Sequence, residues 1–73
     1  MSNLTWHEIV SQPIPPKDRL VLLSALGTKP TDALATAIGA STNIPITEVE
    51  VRLADLRQAG WRIDCGKIAK SAA

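Results

Sequence analysis

The sequence predicts a small, mainly α-helical domain that ends in a β-hairpin. The chain has 73 residues, which is the size of one domain. Apolar residues make up 45% and charged residues 21%, a globular composition in which the many Ala and Leu favour helix. After Gly60 the apolar period changes from helical to alternating, which is typical of a helix followed by a strand.

Two helices are predicted in the first third of the chain. Thr5 and Glu8 have the spacing of a capping box, in which each side chain satisfies a free backbone donor, so we expect a helix over residues 5–11. Three prolines then interrupt the helical pattern. The last of them, Pro16, suits the first turn of a second helix over residues 16–26.

A third, shorter helix is predicted over residues 31–38. Thr31 is the expected N-terminal cap, and Gly39 is the expected stop because glycine tolerates a positive φ. Residues 40–46 then form a turn.

A fourth helix is predicted over residues 47–59. Thr47 and Glu50 have the spacing of a second capping box, with Ile46 and Val51 placed as a hydrophobic staple. Its apolar residues Val49, Leu53 and Leu56 follow one another at steps of four and three, so they share one face of the helix.

A hairpin is predicted over residues 61–70, with Cys65-Gly66 as its two-residue turn. That turn places side chains opposite one another in a register with one apolar face and one charged face. The expected pairs are Trp61 with Lys70, Arg62 with Ala69, Ile63 with Ile68, and Asp64 with Lys67.

The pattern Leu53-x-x-Leu56-Arg57-x-x-Gly60-Trp61-x-Ile63 resembles the end of the recognition helix and the start of the wing in small bacterial and phage winged helix-turn-helix regulators. Over about residues 20–70 the chain is similar to the DNA-binding domain of the biotin operon repressor. The resemblance implies a winged helix-turn-helix fold and a DNA-binding transcription regulator, with phage or prophage among the sources it suggests. It also makes residues 47–59 the recognition helix and residues 61–70 the wing.

A recognition helix reads base edges in the major groove from its N-terminal half. Arg52 could bond guanine bidentately, Glu48 could accept from cytosine, and Val51 could contact a thymine methyl group. Glu48 could equally compensate the helix dipole. The full set of expected DNA-binding residues adds the turn and the wing, and comprises Thr42, Asn43, Thr47, Glu48, Val51, Arg52, Arg62, Lys67 and Lys70.

The charge distribution supports an anionic partner for the C-terminal third. Residues 1–50 carry three basic and five acidic side chains, whereas residues 51–73 carry five basic and two acidic ones. We expect no catalysis, because no phosphate loop, nucleophile elbow or cluster of His, Cys and carboxylates is evident. One Cys and one His predict neither a disulfide nor a metal site, so we expect a cytoplasmic protein with no cofactor and no membrane segment.

The expected partner is double-stranded DNA. Because one small domain contacts few base pairs, a homodimer or a cooperative assembly on DNA would supply the remaining specificity. The alternative is a protein–protein interaction module on the same scaffold, which the acidic start of the fourth helix and the near-zero net charge favour.

Overall fold

The computed structural model describes residues 3–71, which form four helices and one two-stranded antiparallel sheet. In chain order the elements are α1 (Trp6–Val10), α2 (Pro16–Leu26), α3 (Leu34–Thr42), α4 (Ile46–Gln58), β1 (Trp61–Asp64) and β2 (Lys67–Lys70). The predicted class, mainly helical with a C-terminal hairpin, is therefore confirmed. Within residues 3–71, no helix has the length and apolar character needed to cross a membrane.

The first two helices begin where their local signals predict. The Thr5 hydroxyl accepts from the backbone N–H of Glu8 at 3.3 Å, and the Glu8 carboxylate accepts from the backbone N–H of Thr5 at 2.9 Å. This capping box satisfies two backbone donors at the start of α1. Pro16 is the first residue of α2, where its missing N–H costs no helical hydrogen bond.

Helix α2 is the central element, since it contacts every other helix and both strands. Three of its residues, Val21, Leu22 and Ala25, have no exposed surface. Around them lies one apolar core to which all the elements contribute. Its other buried members are Ile9, Ile38, Ile44, Val49, Leu53, Leu56, Trp61, Ile63 and Ile68.

The predicted bounds of the third helix, 31–38 with Thr31 as cap, are wrong. The N–H of Asp32 donates to the carbonyl of Lys29 at 3.0 Å, so Thr31 is part of a turn. Ala33 is the extended residue that precedes α3, and no side chain caps this helix. A local turn over residues 29–32 therefore delays the helix by three residues.

Gly39 lies inside α3 and does not end it, contrary to the prediction. A Cβ atom at Gly39 would lie 3.1 Å from Cγ1 of Ile46 and 3.2 Å from the carbonyl oxygen of Ile44. The glycine is thus needed for close approach of the segment that leads into α4. The helix ends instead at Asn43, whose φ of 64° is left-handed.

The predicted capping box at the start of the fourth helix is also wrong. Pro45, with φ −55° and ψ 140°, occupies the cap position, and Ile46 is the first helical residue. Thr47 is therefore inside the first turn and makes no capping bond. The predicted staple fails as well, because Ile46 is within the helix and both it and Val51 are exposed.

The predicted hairpin and its register are confirmed. All four predicted residue pairs are present, from Trp61 opposite Lys70 to Asp64 opposite Lys67. Gly66 in the turn has a φ of 73°. Its N–H donates to the carbonyl of Ala25 at 2.9 Å, so the tip of the hairpin is fixed to the end of α2.

Candidate nucleic-acid interface

Four charged residues join α2 to α4, and we call them the clamp: Lys17, Asp18, Glu48 and Arg52. Arg52 Nη1 lies 2.9 Å from Asp18 Oδ1, and Arg52 Nε lies 3.0 Å from Glu48 Oε2. Lys17 Nζ lies 3.3 Å from the same Glu48 oxygen. The predicted base-reading residues Glu48 and Arg52 therefore both take part in ion pairs with other residues of the chain.

The clamp also shifts the acid–base equilibria of its members. The hydrogen bond from Arg52 lowers the pKa of Glu48, and the bond from Lys17 lowers it further. In return, the bonds to Glu48 and then to Asp18 raise the pKa of Arg52. The carboxylate and the guanidinium therefore stay charged, and paired, over a wide range around neutral pH.

The two predicted turn residues have roles in ending α3. The Thr42 hydroxyl donates to the carbonyl of Ile38 at 2.6 Å and accepts from the N–H of Ile44 at 3.3 Å. Asn43 provides the left-handed residue and donates its backbone N–H to the carbonyl of Gly39. Their residue types are accounted for by the shape of the turn, although the side chain of Asn43 is exposed.

The solvent-facing side of α4 is uncharged along its centre. Exposed residues recur here at steps of four, three and four, which places them on one face. They are Thr47, Val51, Ala54 and Gln58, and Val51 is 60% exposed. Two exposed carboxylates, Glu50 and Asp55, flank this face, and the exposed Arg57 lies beside Glu50 on the same flank. Of the predicted base-reading residues, only Thr47 and Val51 lie on it.

The hairpin places its basic residues on two different sides. Arg62 and Lys67 are exposed and share one face of the hairpin, which we call the outer face, with Asp64 and Ala69. Lys70 instead lies opposite Trp61, and its Nζ is 5.1 Å from the centroid of the indole ring. The three predicted wing cations therefore do not form one surface.

A cleft of about 700 Å³ lies between the outer face of the hairpin and the end of α4. We call it the hairpin cleft. It is lined by Asn3, Arg57, Trp61, Arg62, Ile63, Asp64, Lys67 and Ala69. Three of these side chains are cationic and one is anionic, so the cleft has an excess of positive charge.

Arg57 belongs to this cleft and was absent from the predicted set. Its Nη2 donates to the carbonyl oxygen of Ile63 at 3.0 Å, which holds the guanidinium against β1. The signal that could have identified it is its place in the last turn of α4, three residues before Gly60. A basic residue there is adjacent to the strand that follows.

The three cations of the hairpin cleft have no acidic partner within residues 3–71. All the ion pairs found there belong to the clamp. The one carboxylate of the cleft, Asp64, accepts a hydrogen bond from the backbone N–H of Cys65 at 2.8 Å. Arg57, Arg62 and Lys67 can therefore offer donors to an external anion.

The chain was compared with family models, with curated proteins and with solved structures, and none of the three comparisons gave a match. What the surface can bind must therefore be inferred from its own geometry. The two features that bear on this are the paired charges between α2 and α4 and the unpaired cations beside the hairpin.

Proposed function

We propose that the chain is a winged helix-turn-helix domain that binds double-stranded DNA and acts as a sequence-specific transcription regulator. The order of its elements supports this, because α3 and α4 joined by a short turn, followed at once by a hairpin, is the order of that class. Helix α4 would enter the major groove, and the hairpin would lie along the backbone.

The observation that carries the proposal is the cluster of unpaired cations in the hairpin cleft. Arg57, Arg62 and Lys67 lie next to the end of α4 and have no ion pair within residues 3–71. Cations without an internal partner can neutralise phosphates and release counterions, which is the main source of affinity for duplex DNA. The proposal omits Lys70, because its ammonium group lies over Trp61 and outside the cleft.

A domain of this size contacts few base pairs, so we further propose that two copies bind DNA together, as a dimer or cooperatively on adjacent sites. The sequence preference of each copy would come from the exposed face of α4, which includes Thr47 and Val51.

The experiment that tests the proposal is a salt titration with matched charge removals. We expect the affinity for a duplex of random sequence to fall steeply between 50 and 200 mM salt, values chosen to span the sensitive range. Arg62→Gln and Lys67→Gln should each weaken binding and lower the slope of log affinity against log salt by about 0.9.

Lys70→Gln is the matched control, because it removes one charge from the same hairpin on the other side. We expect its salt slope to equal that of the wild type. Absence of binding at the lowest salt would refute the proposal, and equal effects of all three substitutions would remove the cleft from it.

The second candidate function is a protein-interaction module, which the exposed side of α4 favours. Glu50 and Asp55 flank its uncharged centre, where Val51 is 60% exposed, and Arg57 lies beside Glu50 toward the end of the helix. A protein surface with apolar and basic groups would complement it. Backbone amide shifts in a DNA titration distinguish the two functions, because duplex binding shifts the amides of both α4 and the hairpin.

A further inference from the structure

The conformation of Arg52 bears on how α4 could recognise a sequence. The guanidinium bonds Asp18 on α2 through Nη1 and Glu48 on its own helix through Nε, at 2.9 and 3.0 Å. Its side chain is 27% exposed, and that of Asp18 is 18% exposed. A guanidinium that bonds guanine needs two donors directed away from the protein.

Base reading by Arg52 would require the clamp to open. Two charge-assisted hydrogen bonds would be lost, and such bonds are roughly twice as strong as neutral ones. Opening would also leave Asp18 half-buried beside the core without its only ion-pair partner among residues 3–71. The clamped conformation therefore competes directly with a contact to a base.

The clamp has a geometric effect on α4. Its apolar contacts with the core, through Val49 and Leu53, are non-directional and tolerate some rotation of the helix. The pairs Lys17–Glu48 and Asp18–Arg52 link α2 and α4 at two points, in the first turn and at the middle of α4. Directional bonds at these two points limit rotation and select which residues of α4 face solvent.

We propose that Arg52 is a positioning residue: through Asp18 it fixes the orientation of α4, and it does not itself select a base. This inference rests on the proposed DNA-binding function. Sequence preference then comes from exposed side chains of α4 that include Thr47 and Val51. The charge of Arg52 affects DNA binding by holding α4 in its orientation, without contact to a base.

The test exchanges the two charges across the helix interface. D18R and R52D alone each place like charges together, whereas the double variant D18R/R52D restores an opposite pair and can still engage Glu48. We expect R52D alone to weaken binding to all duplexes about tenfold, and the double variant, whose net charge equals that of the wild type, to recover most of the loss. The sequence selected from random duplexes should be the same for the wild type and the double variant.

Two controls keep the outcome interpretable. Affinities are measured where circular dichroism shows each variant to be folded, so a change reports the folded protein. If either charge-reversed single variant does not fold, the neutral variants Arg52→Gln and Asp18→Asn replace D18R and R52D. Arg52→Gln should then weaken binding, and adding Asp18→Asn to it should cause no further loss.

Three results would overturn the inference while leaving the proposed function intact. The first is a changed base preference in Arg52→Gln or in the double variant. The second is unchanged affinity of folded Arg52→Gln, which would make Arg52 merely stabilising. The third is additive loss in the combined neutral variants. A wild-type protein that binds no duplex would refute the proposed function itself.

Discussion

The α2–α4 interface and the hairpin cleft both carry several charges, but the charges are arranged differently. In the clamp, each cation faces a carboxylate within 3.3 Å. In the cleft, Arg57, Arg62 and Lys67 have no such partner within residues 3–71, and Asp64 bonds the backbone of the turn. Charges that pair with one another restrain the arrangement of the helices that carry them, whereas unpaired cations are available to a ligand.

The two regions also differ in what holds them in place. The clamp is a side-chain network between two helices, and its members belong to segments about thirty residues apart. The hairpin beside the cleft is held through backbone groups: Ile63 O accepts from the Arg57 side chain, Ile68 O accepts from the N–H of Leu4 at 2.6 Å, and the N–H of Gly66 donates to Ala25 O. Substitutions of surface side chains should therefore perturb the clamp more readily than the position of the hairpin.

The largest effect is expected from Ile68→Ala, which tests whether the cleft depends on the common core. Ile68 is fully buried between the hairpin and the helices. Its truncation should lower the free energy of unfolding by about 3 kcal/mol. Urea unfolding, followed by circular dichroism and by the indole signal of Trp61, should give one coincident transition.

Val51→Ala is the control for this prediction, because Val51 is 60% exposed. It should change the free energy of unfolding by less than about 0.5 kcal/mol. If the Trp61 signal in Ile68→Ala changed at a lower urea concentration than the helical signal, the hairpin would be a separate unit that does not share the common core.

A smaller effect is expected from Gly66→Ala, which tests the turn of the hairpin. The φ of Gly66 is 73°, a conformation that costs other residues about 1–2 kcal/mol. The matched control is Gly27→Ala, since Gly27 has φ −88° and the nearest atom to an added Cβ is 3.8 Å away. Thermal unfolding should show a loss for Gly66→Ala and none for Gly27→Ala; equal losses would contradict this assignment.

The pH dependence of stability should report the clamp. Because pairing lowers the pKa of Glu48 from its ordinary 4.5, the pair stabilises the fold above that value. The stabilisation is lost as the pH falls through the lowered pKa of the folded state. The thermal midpoint of the wild type should therefore exceed that of Glu48→Gln at pH 6 and approach it at pH 3.

Glu8 contributes to the same window, because its bond from the Thr5 backbone lowers its pKa as well. Both proteins contain Glu8, so its contribution cancels in the difference between them. A difference that stays constant from pH 6 to pH 3 would show that Glu48 is not paired in solution.

The smallest effect is expected from Asn43→Gly. Asn43 is left-handed at the end of α3, where glycine is the commonest residue. If its role is to shape the turn, both the stability and the DNA affinity should stay close to wild type, within about 0.5 kcal/mol. A marked loss of DNA affinity with unchanged stability would instead show that the side chain of Asn43 contributes to DNA binding.

Local signals in the sequence predicted the elements that depend on neighbouring residues. The capping box of Thr5 and Glu8 and the position of Pro16 involve groups within one helical turn. The hairpin register follows from alternation on either side of Gly66, so it too is a local property. These features were predicted correctly because few residues decide them.

Gly39 shows where local reasoning failed. As a glycine after an apolar helical run, it has the sequence pattern of a helix stop. Its actual role depends on Ile44 and Ile46, which pack against it from the next segment. The same limit applies to Thr31, which has the sequence pattern of a helix cap but lies in a turn over residues 29–32.

The sequence by itself determined the helix–hairpin class and the charge imbalance toward the C-terminal third. Only the tertiary structure decided which of those charges are free, because pairing depends on residues distant in the chain. Arg52 pairs with Asp18 across 34 positions, whereas Arg62 and Lys67 form no ion pair within residues 3–71. A charge acquires its role from its neighbours in space, and the order of residues does not specify those neighbours directly.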